Sequence, residues 1–210
     1  MPVLSKRAPR ARAAHLGPDR RRPQVLDAAL VIAVEQGVGE VTIGAIAKRL
    51  KVTRPVVYAC FADRIDILSA LLKRETAALR EGLVESLYSA QGDTPEDAFI
   101  AGFQALLRVV TNRPNSWRVL FATPDAAVAD RFTRVRGQLA EAAATWIRPV
   151  LTKWWSMDDI EAKLPILVEF LVSSSVAAAR SLLDPDTAYD AEELGRLYGR
   201  MVCQAFAAAA

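Results

Sequence analysis

Apolar residues recur at helical spacing along almost the whole chain, and polar, Pro- or Gly-bearing breaks divide that periodicity into about nine segments. The first helix is predicted from near Pro23, a residue suited to a first turn, to Gly37. Ile43, Ile46, Ala47 and Leu50 then form one short stripe, and Val57, Cys60 and Phe61 form another, with Val52 plugging the junction. Leu68, Leu71, Leu72, Leu79, Leu83 and Leu87 mark a long amphipathic helix from about Asp63 to Ser89. Gln91, Gly92 and Asp93 break it. Thr94-Pro95-Glu96-Asp97 combines a cap, a first-turn proline and early acids, and starts a helix to about Thr111. Arg113-Pro114 opens a shorter one, and Thr123-Pro124-Asp125 opens another that runs past Trp146 to a kink at Pro149. The chain restarts at Ser156 to Asp159, kinks at Pro165, and is almost wholly apolar over residues 166–183. Asp190 and Glu193 have the spacing of a capping box for a final helix. No segment alternates as a strand would, so the fold class is all-α.

Residues 42–64, TIGAIAKRLKVTRPVVYACFADR, carry the most information. Thr42 and Thr53 each stand where a hydroxyl would cap the first free amides of a helix. Two helices of about two turns, joined by so short a break, suit a helix-turn-helix, whose second helix enters the DNA major groove. At about 100° per residue, Val57 and Phe61 facing inward turn Pro55, Tyr58 and Ala59 outward and leave Val56 at the edge. Arg54 has the reach to pair with guanine O6 and N7, while Pro55, Val56 and Ala59 offer only contact with thymine methyls. Tyr58 is placed to give its hydroxyl to a phosphate, and Pro55 is harmless in a first turn. An ordinary buried helical pair carrying an exposed Arg and Tyr is the plain alternative.

The string T-IGAIA-KRL-KVT-RPVVYACF-ADRIDIL resembles the TetR family of bacterial transcriptional regulators, through Thr42, Ile46-Ala47, Val52-Thr53, Tyr58, Phe61, Arg64 and Leu68. The resemblance covers about the first third of the chain. It implies phosphate contacts by Thr42, Thr53, Tyr58 and Arg64, with base contacts by residues 54–56 and Ala59. Three positions depart from the pattern: Lys51 replaces a turn glycine, Pro55 replaces a small residue, and Cys60 replaces an aromatic. They bear on the DNA sequence recognised. If the turn needs a left-handed residue, Lys51 costs roughly 1 kcal/mol or more there.

Charge sharpens this picture. The chain of 210 residues carries a net charge of +3, but Lys6, Arg7, Arg10, Arg12, Arg20, Arg21 and Arg22 stand against Asp19 alone in the first 22 residues. That arm is +6 and the remainder −3. With Pro2, Pro9 and Pro18 and no apolar periodicity, the arm is expected to be disordered and to lie along DNA through Arg10, Arg12, Arg20, Arg21 and Arg22, with Lys51 adding a cation at the turn; a solvated tail without a specific role is the alternative. The expected division is 1–22 arm, 23–66 helix-turn-helix domain and 67–210 helical domain. Two distant cysteines and no secretory signal suggest a reducing cytoplasm. No segment reads as long and apolar enough to cross a bilayer. His15 is the one histidine, and HExxH, GxSxG, P-loop and GxGxxG patterns are absent. No enzyme, metal or cofactor is expected.

Residues 166–183 lack a full polar face and are rich in small residues; the last helix carries Leu194, Leu197, Tyr198, Met201, Ala205 and Phe206. Two such helices from each of two chains would bury one another as a four-helix bundle, the dimer interface that the resemblance also implies, with Phe170, Ser174, Ala178, Leu197, Met201 and Ala205 in contact. A dimer also matches a palindromic operator in double-stranded DNA, since one helix-turn-helix reads a half-site. Intrachain core is the alternative for both helices. The resemblance further implies a small-molecule pocket in the middle helices. Phe99, Phe103, Leu106, Leu107, Trp117, Phe121 and Trp146 are its candidate apolar walls, and Glu169 and Ser173 its polar candidates. An effector would then be apolar or aromatic with few polar handles. The same residues suit solid core, and an effector-independent regulator or architectural DNA-binding protein is the rival reading.

Overall fold

The computed structural model describes residues 17–89, 92–124, 126–155 and 159–210, the side chains of residues 83–89 excepted. Arg10, Arg12, His15, Gln91, Asp125 and Ser156 lie outside the described residues. The described chain is all-α: α1 (Pro18–Gln36), a single 3-10 turn (Val38–Glu40), α2 (Ile43–Leu50), α3 (Arg54–Tyr58), α4 (Arg64–Ser89), α5 (Pro95–Asn112), α6 (Pro114–Leu120), α7 (Ala129–Trp154), α8 (Ile160–Leu183) and α9 (Ala191–Ala209).

Local chemistry accounts for most boundaries. The Thr42 and Thr94 side chains accept from the amides of Ala45 and Asp97. Asp190 and Glu193 complete the reciprocal capping box that starts α9. The prolines behave differently from expectation. α1 begins at Pro18, so Pro23 lies inside it and Arg20, Arg21 and Arg22 are helical and not part of an arm. A helix tolerates a proline near its exposed start, where only one ladder bond is lost. α7 and α8 likewise run through Pro149 and Pro165. α7 starts later than expected, because the buried Val128 first anchors the turn before it.

α1 packs against α2, α4 and α6, and α5 lies along α9 in the most extensive helix pair. Two glycines permit that approach: a Cβ on Gly199 would stand 2.5 Å from the Ile100 Cα, and one on Gly195 would stand 2.5 Å from the Gln104 Cγ. α4 is one continuous helix from the N-terminal three helices into the body, so a division at residue 66 falls in its first turn. Its Glu75, buried to 4 % exposure, accepts from Ser116 of α6 and pairs with Arg74, which in turn reaches Asp27 of α1. One polar chain thereby links α1, α4 and α6.

α8 corrects one expectation. By length and composition it is apolar enough to cross a membrane, with a window of mean hydropathy 1.6 in which 28 % is buried within the chain. Its inner stripe, Leu164, Leu167, Val168, Leu171, Ala178 and Ala179, faces α5, α7 and α9. Much of the rest is uncovered apolar surface.

Candidate nucleic-acid interface

The reading unit is built from an inner and an outer set of residues. Ile46 and Ala47 of α2 are buried, and Ile43, Leu50 and Val52 pack half-buried against the same core. α3 contributes Val57 at 0 % exposure, and the turn after it contributes Cys60 and Phe61. Full burial of Val57 and Phe61 stabilises the unit by about 1.5–3 kcal/mol each. Against that anchor Arg54, Pro55, Tyr58 and Ala59 are exposed, Tyr58 to 55 %, and Val56 is half-buried. The inward and outward sets are those the spacing predicts, although α3 itself has five residues, fewer than two turns.

The turn explains its own departure from the family pattern. The Lys51 backbone is left-handed at φ 55°, and the amides of Lys51 and Val52 close onto the carbonyls of Lys48 and Ala47. A side chain in that region costs about 1–2 kcal/mol relative to glycine. Lys51→Gly is therefore expected to raise stability by roughly 1 kcal/mol, or about 2–4 °C in Tm for a chain of this size. Differential scanning calorimetry checks this, and a lowered Tm contradicts it.

Each predicted contact residue has a definite place. The Thr42 hydroxyl oxygen accepts from the Ala45 amide as the cap of α2, and the residue is exposed. Thr53 has N-cap backbone geometry but forms no side-chain cap bond, contrary to expectation, and its side chain is exposed. Arg54 folds along the start of α2: a Cβ on Gly44 would lie 3.3 Å from its Nη2. Sequence reasoning passed over Gly44, whose missing side chain makes that groove. Arg64 is turned inward, donating to the carbonyls of Val41 and Val38 at 2.9 Å each. It ties the segment before α2 to the start of α4. Arg20 is exposed, Arg21 donates to Gln24 at 2.8 Å, and Arg22 donates to the Cys60 carbonyl. Arg22 is exposed as well, but its guanidinium is turned to α3. Burial pushes the Cys60 thiol above its ordinary pKa, with Arg22 and Arg21 opposing the shift, so the group stays a protonated core thiol.

Two further expectations concern the body. Phe170, Leu197 and Met201 are exposed to 42 %, 47 % and 54 %, and Ile166 to 71 %, giving α8 and α9 an outward apolar face. Ser174 and Ala205 are half-buried beside it, but Ala178 is fully buried intrachain core, which corrects its assignment to an interface. Of the pocket candidates, Phe99, Phe103, Leu107 and Trp117 are buried, and Phe121 and Trp146 are half-buried. Their rings pack on one another: Trp117 stacks on Phe121 at 4.4 Å, and Phe99 meets Phe206 edge-on at 5.2 Å. Glu169 and Ser173 are exposed on α8 and do not join them. A concavity of about 540 Å³ instead opens where α8 turns into α9, among Tyr189, Leu194, Leu197 and Met201.

Residues 25–71, spanning α1 to the first turns of α4, match the model of bacterial regulatory proteins of the tetR family. That segment, which holds α2 and α3, carries the likeness to the TetR family. Over 54 residues the chain is 39 % identical to the HTH-type transcriptional regulator SrpR of Pseudomonas putida, a match that spans 26 % of this chain and 25 % of that regulator. Over 172 residues it is 23 % identical to the HTH-type transcriptional activator FasR of Mycolicibacterium smegmatis, covering 82 % of this chain and 76 % of that one. The fold is shared more widely. A TetR-like transcriptional regulator from Rhodococcus sp. RHA1 superposes with a TM-score of 0.68 at 19 % identity, over 96 % of this chain and 99 % of that one. FadR of Bacillus subtilis, solved in complex with stearoyl-CoA, superposes at 0.67 with 14 % identity, over 86 % and 97 %. Over the whole chain these likenesses show the fold, and over residues 25–71 they show a tetR-type helix-turn-helix formed by α2 and α3.

Proposed function

We propose that the protein is a repressor that binds a palindromic operator as a homodimer and is released by a small apolar or aromatic molecule. The observation that carries this reading is the presentation of Arg54, Pro55 and Tyr58 outward on a helix whose Val57 is wholly buried. Arg54 would read guanine, Pro55, Val56 and Ala59 thymine methyls, and Thr42, Lys51, Thr53 and Tyr58 the backbone. Arg20, with Arg10 and Arg12 of the arm, would add charge along the duplex. α1 to α3 form the reading head and α4 to α9 the body, acting in the cytoplasm. The uncovered face of Ile166, Phe170, Leu197 and Met201 would seat the second copy. Two heads on one symmetric site occlude a promoter, and an effector releases them only by binding more tightly to a state with different head spacing.

The body supports an apolar effector through Phe99, Phe103, Leu107, Trp117, Phe121 and Trp146, and the Trp117 indole N–H is buried with no partner, so it suits an acceptor on a ligand. The structural neighbour that holds stearoyl-CoA supports the same class. The close ring packing of Trp117 on Phe121 favours a second reading, a regulator with a solid body and no effector. Selection from random duplexes at fixed salt tests the proposal. It predicts enrichment of a two-fold symmetric site, half-sites about one helical turn apart or a multiple of it, and at least tenfold weaker binding with stearoyl-CoA or another long apolar ligand. Enrichment of no symmetric site contradicts it. Release by none of a panel of apolar ligands selects the second reading.

A further inference from the structure

A helix of five residues does not hold its geometry through its own hydrogen bonds, so the stance of α3 depends on what grips it. Val57 and Phe61 anchor it from beneath. At its C-terminal end, where helix carbonyls lack intrahelical donors, the grip comes from α1. The Arg22 guanidinium donates to the Cys60 carbonyl and lies over the Phe61 ring, 4.1 Å from its centroid. The Cys60 thiol completes the seam, with Sγ 3.5 Å from the Val56 carbonyl and 3.8 Å from the Pro18 carbonyl. The first turn of α1 is therefore closed over the last turn of α3. A guanidinium suits that position: its planar fork donates along the carbonyl while its face rests on the ring.

We infer that Arg22 is a positioning residue for DNA recognition. It sets the angle of α3 by clamping the end of that helix to α1, and it contacts no phosphate itself. The inference rests on α3 being the reading element, and it separates Arg22 from Arg20 by engagement and not by burial: both residues are exposed, but the Arg22 guanidinium is held by the Cys60 carbonyl and the Phe61 ring, which leaves Arg20 for a backbone phosphate.

Two measurements on full-length Arg22→Ala and Arg22→Lys test it. In the first, operator affinity is measured across a salt series, with the active fraction determined by stoichiometric titration. Arg22→Ala is expected to bind about tenfold more weakly, at full active fraction and with an unchanged slope of log K against log salt. A lost phosphate contact would instead lower that slope by roughly 0.9 per arginine. Arg22→Lys keeps the charge and a single donor, and recovers part of the affinity. In the second, amide hydrogen exchange of the free protein is expected to quicken over residues 56–61 in Arg22→Ala and to stay unchanged in α5 and α9. Unchanged affinity, a lowered salt slope, or unchanged exchange over residues 56–61 overturns the inference. If Arg54→Ala with Tyr58→Phe also leaves operator binding intact, the assignment of α3 as reader has failed, and the exchange result still decides whether Arg22 clamps it.

Discussion

Phe170→Glu combined with Met201→Glu yields a folded monomer that binds its operator at least a hundredfold more weakly than the natural protein. Both side chains are about half exposed and outside the buried stripe, so their replacement leaves most of the intrachain core of α8 and α9 in place, and the single chain is expected to keep its helical content. In a two-fold interface each substitution appears twice, bringing four carboxylates into one desolvated patch without partners. Burying even one unpaired charge costs several kcal/mol, which exceeds what an interface built on Ile166, Phe170, Leu197 and Met201 can offset. The monomer then loses the second half-site, and with it the contacts that make operator binding tight. Light scattering reads the first effect as a fall from twice 22.9 kDa to 22.9 kDa, and an operator titration reads the second. A variant that stays dimeric places the interface elsewhere. A monomer that binds as tightly as the natural protein removes the need for two heads.

What the chain disclosed and what it withheld differ for a physical reason. Caps at Thr42, Thr94 and Asp190 are local, depending on a hydroxyl or carboxylate and the amides two or three residues on, so spacing alone revealed them. The inward and outward sets of α3 are set by helical rotation, and they too were legible. Arginine destinations were not. Arg22 and Arg64 find carbonyls 38, 23 and 26 residues away, and those acceptors come near only after the helices pack. Periodicity fixed which residues of α8 share a stripe, but not which stripe turns inward. Glu169 and Ser173 therefore fell on the solvent side, and Ala178, small enough for an interface, fell in the core. Pro18 and Pro23 both qualify as a helix start by type, and the earlier one prevailed. Gly44, Gly195 and Gly199 have no periodic signature at all. Their meaning is the atom each leaves room for: the Arg54 guanidinium in one case, the α5 backbone in the others.

The reading head carries the larger consequence. A bidentate arginine–guanine pair contributes about 1–3 kcal/mol of discrimination, and a tyrosine hydroxyl on a phosphate contributes roughly 1 kcal/mol. Two heads double both, so a dimer lacking them loses about 4 kcal/mol or more, on the order of a thousandfold in operator affinity. Neither substitution touches Val57, Cys60 or Phe61, so the fold stays intact. Neither removes a cation from a phosphate, so sequence-independent binding and its salt dependence survive. The decisive measurement is fluorescence anisotropy of the Arg54→Ala, Tyr58→Phe protein on the selected operator and on a scrambled duplex, across a salt series. The predicted result is a selective loss: operator affinity falls on the order of a thousandfold toward the scrambled value, the residual preference resting on Pro55, Val56 and Ala59, while the salt slope stays that of the natural protein. Operator preference within a few-fold of that of the natural protein would show that α3 does not read the DNA.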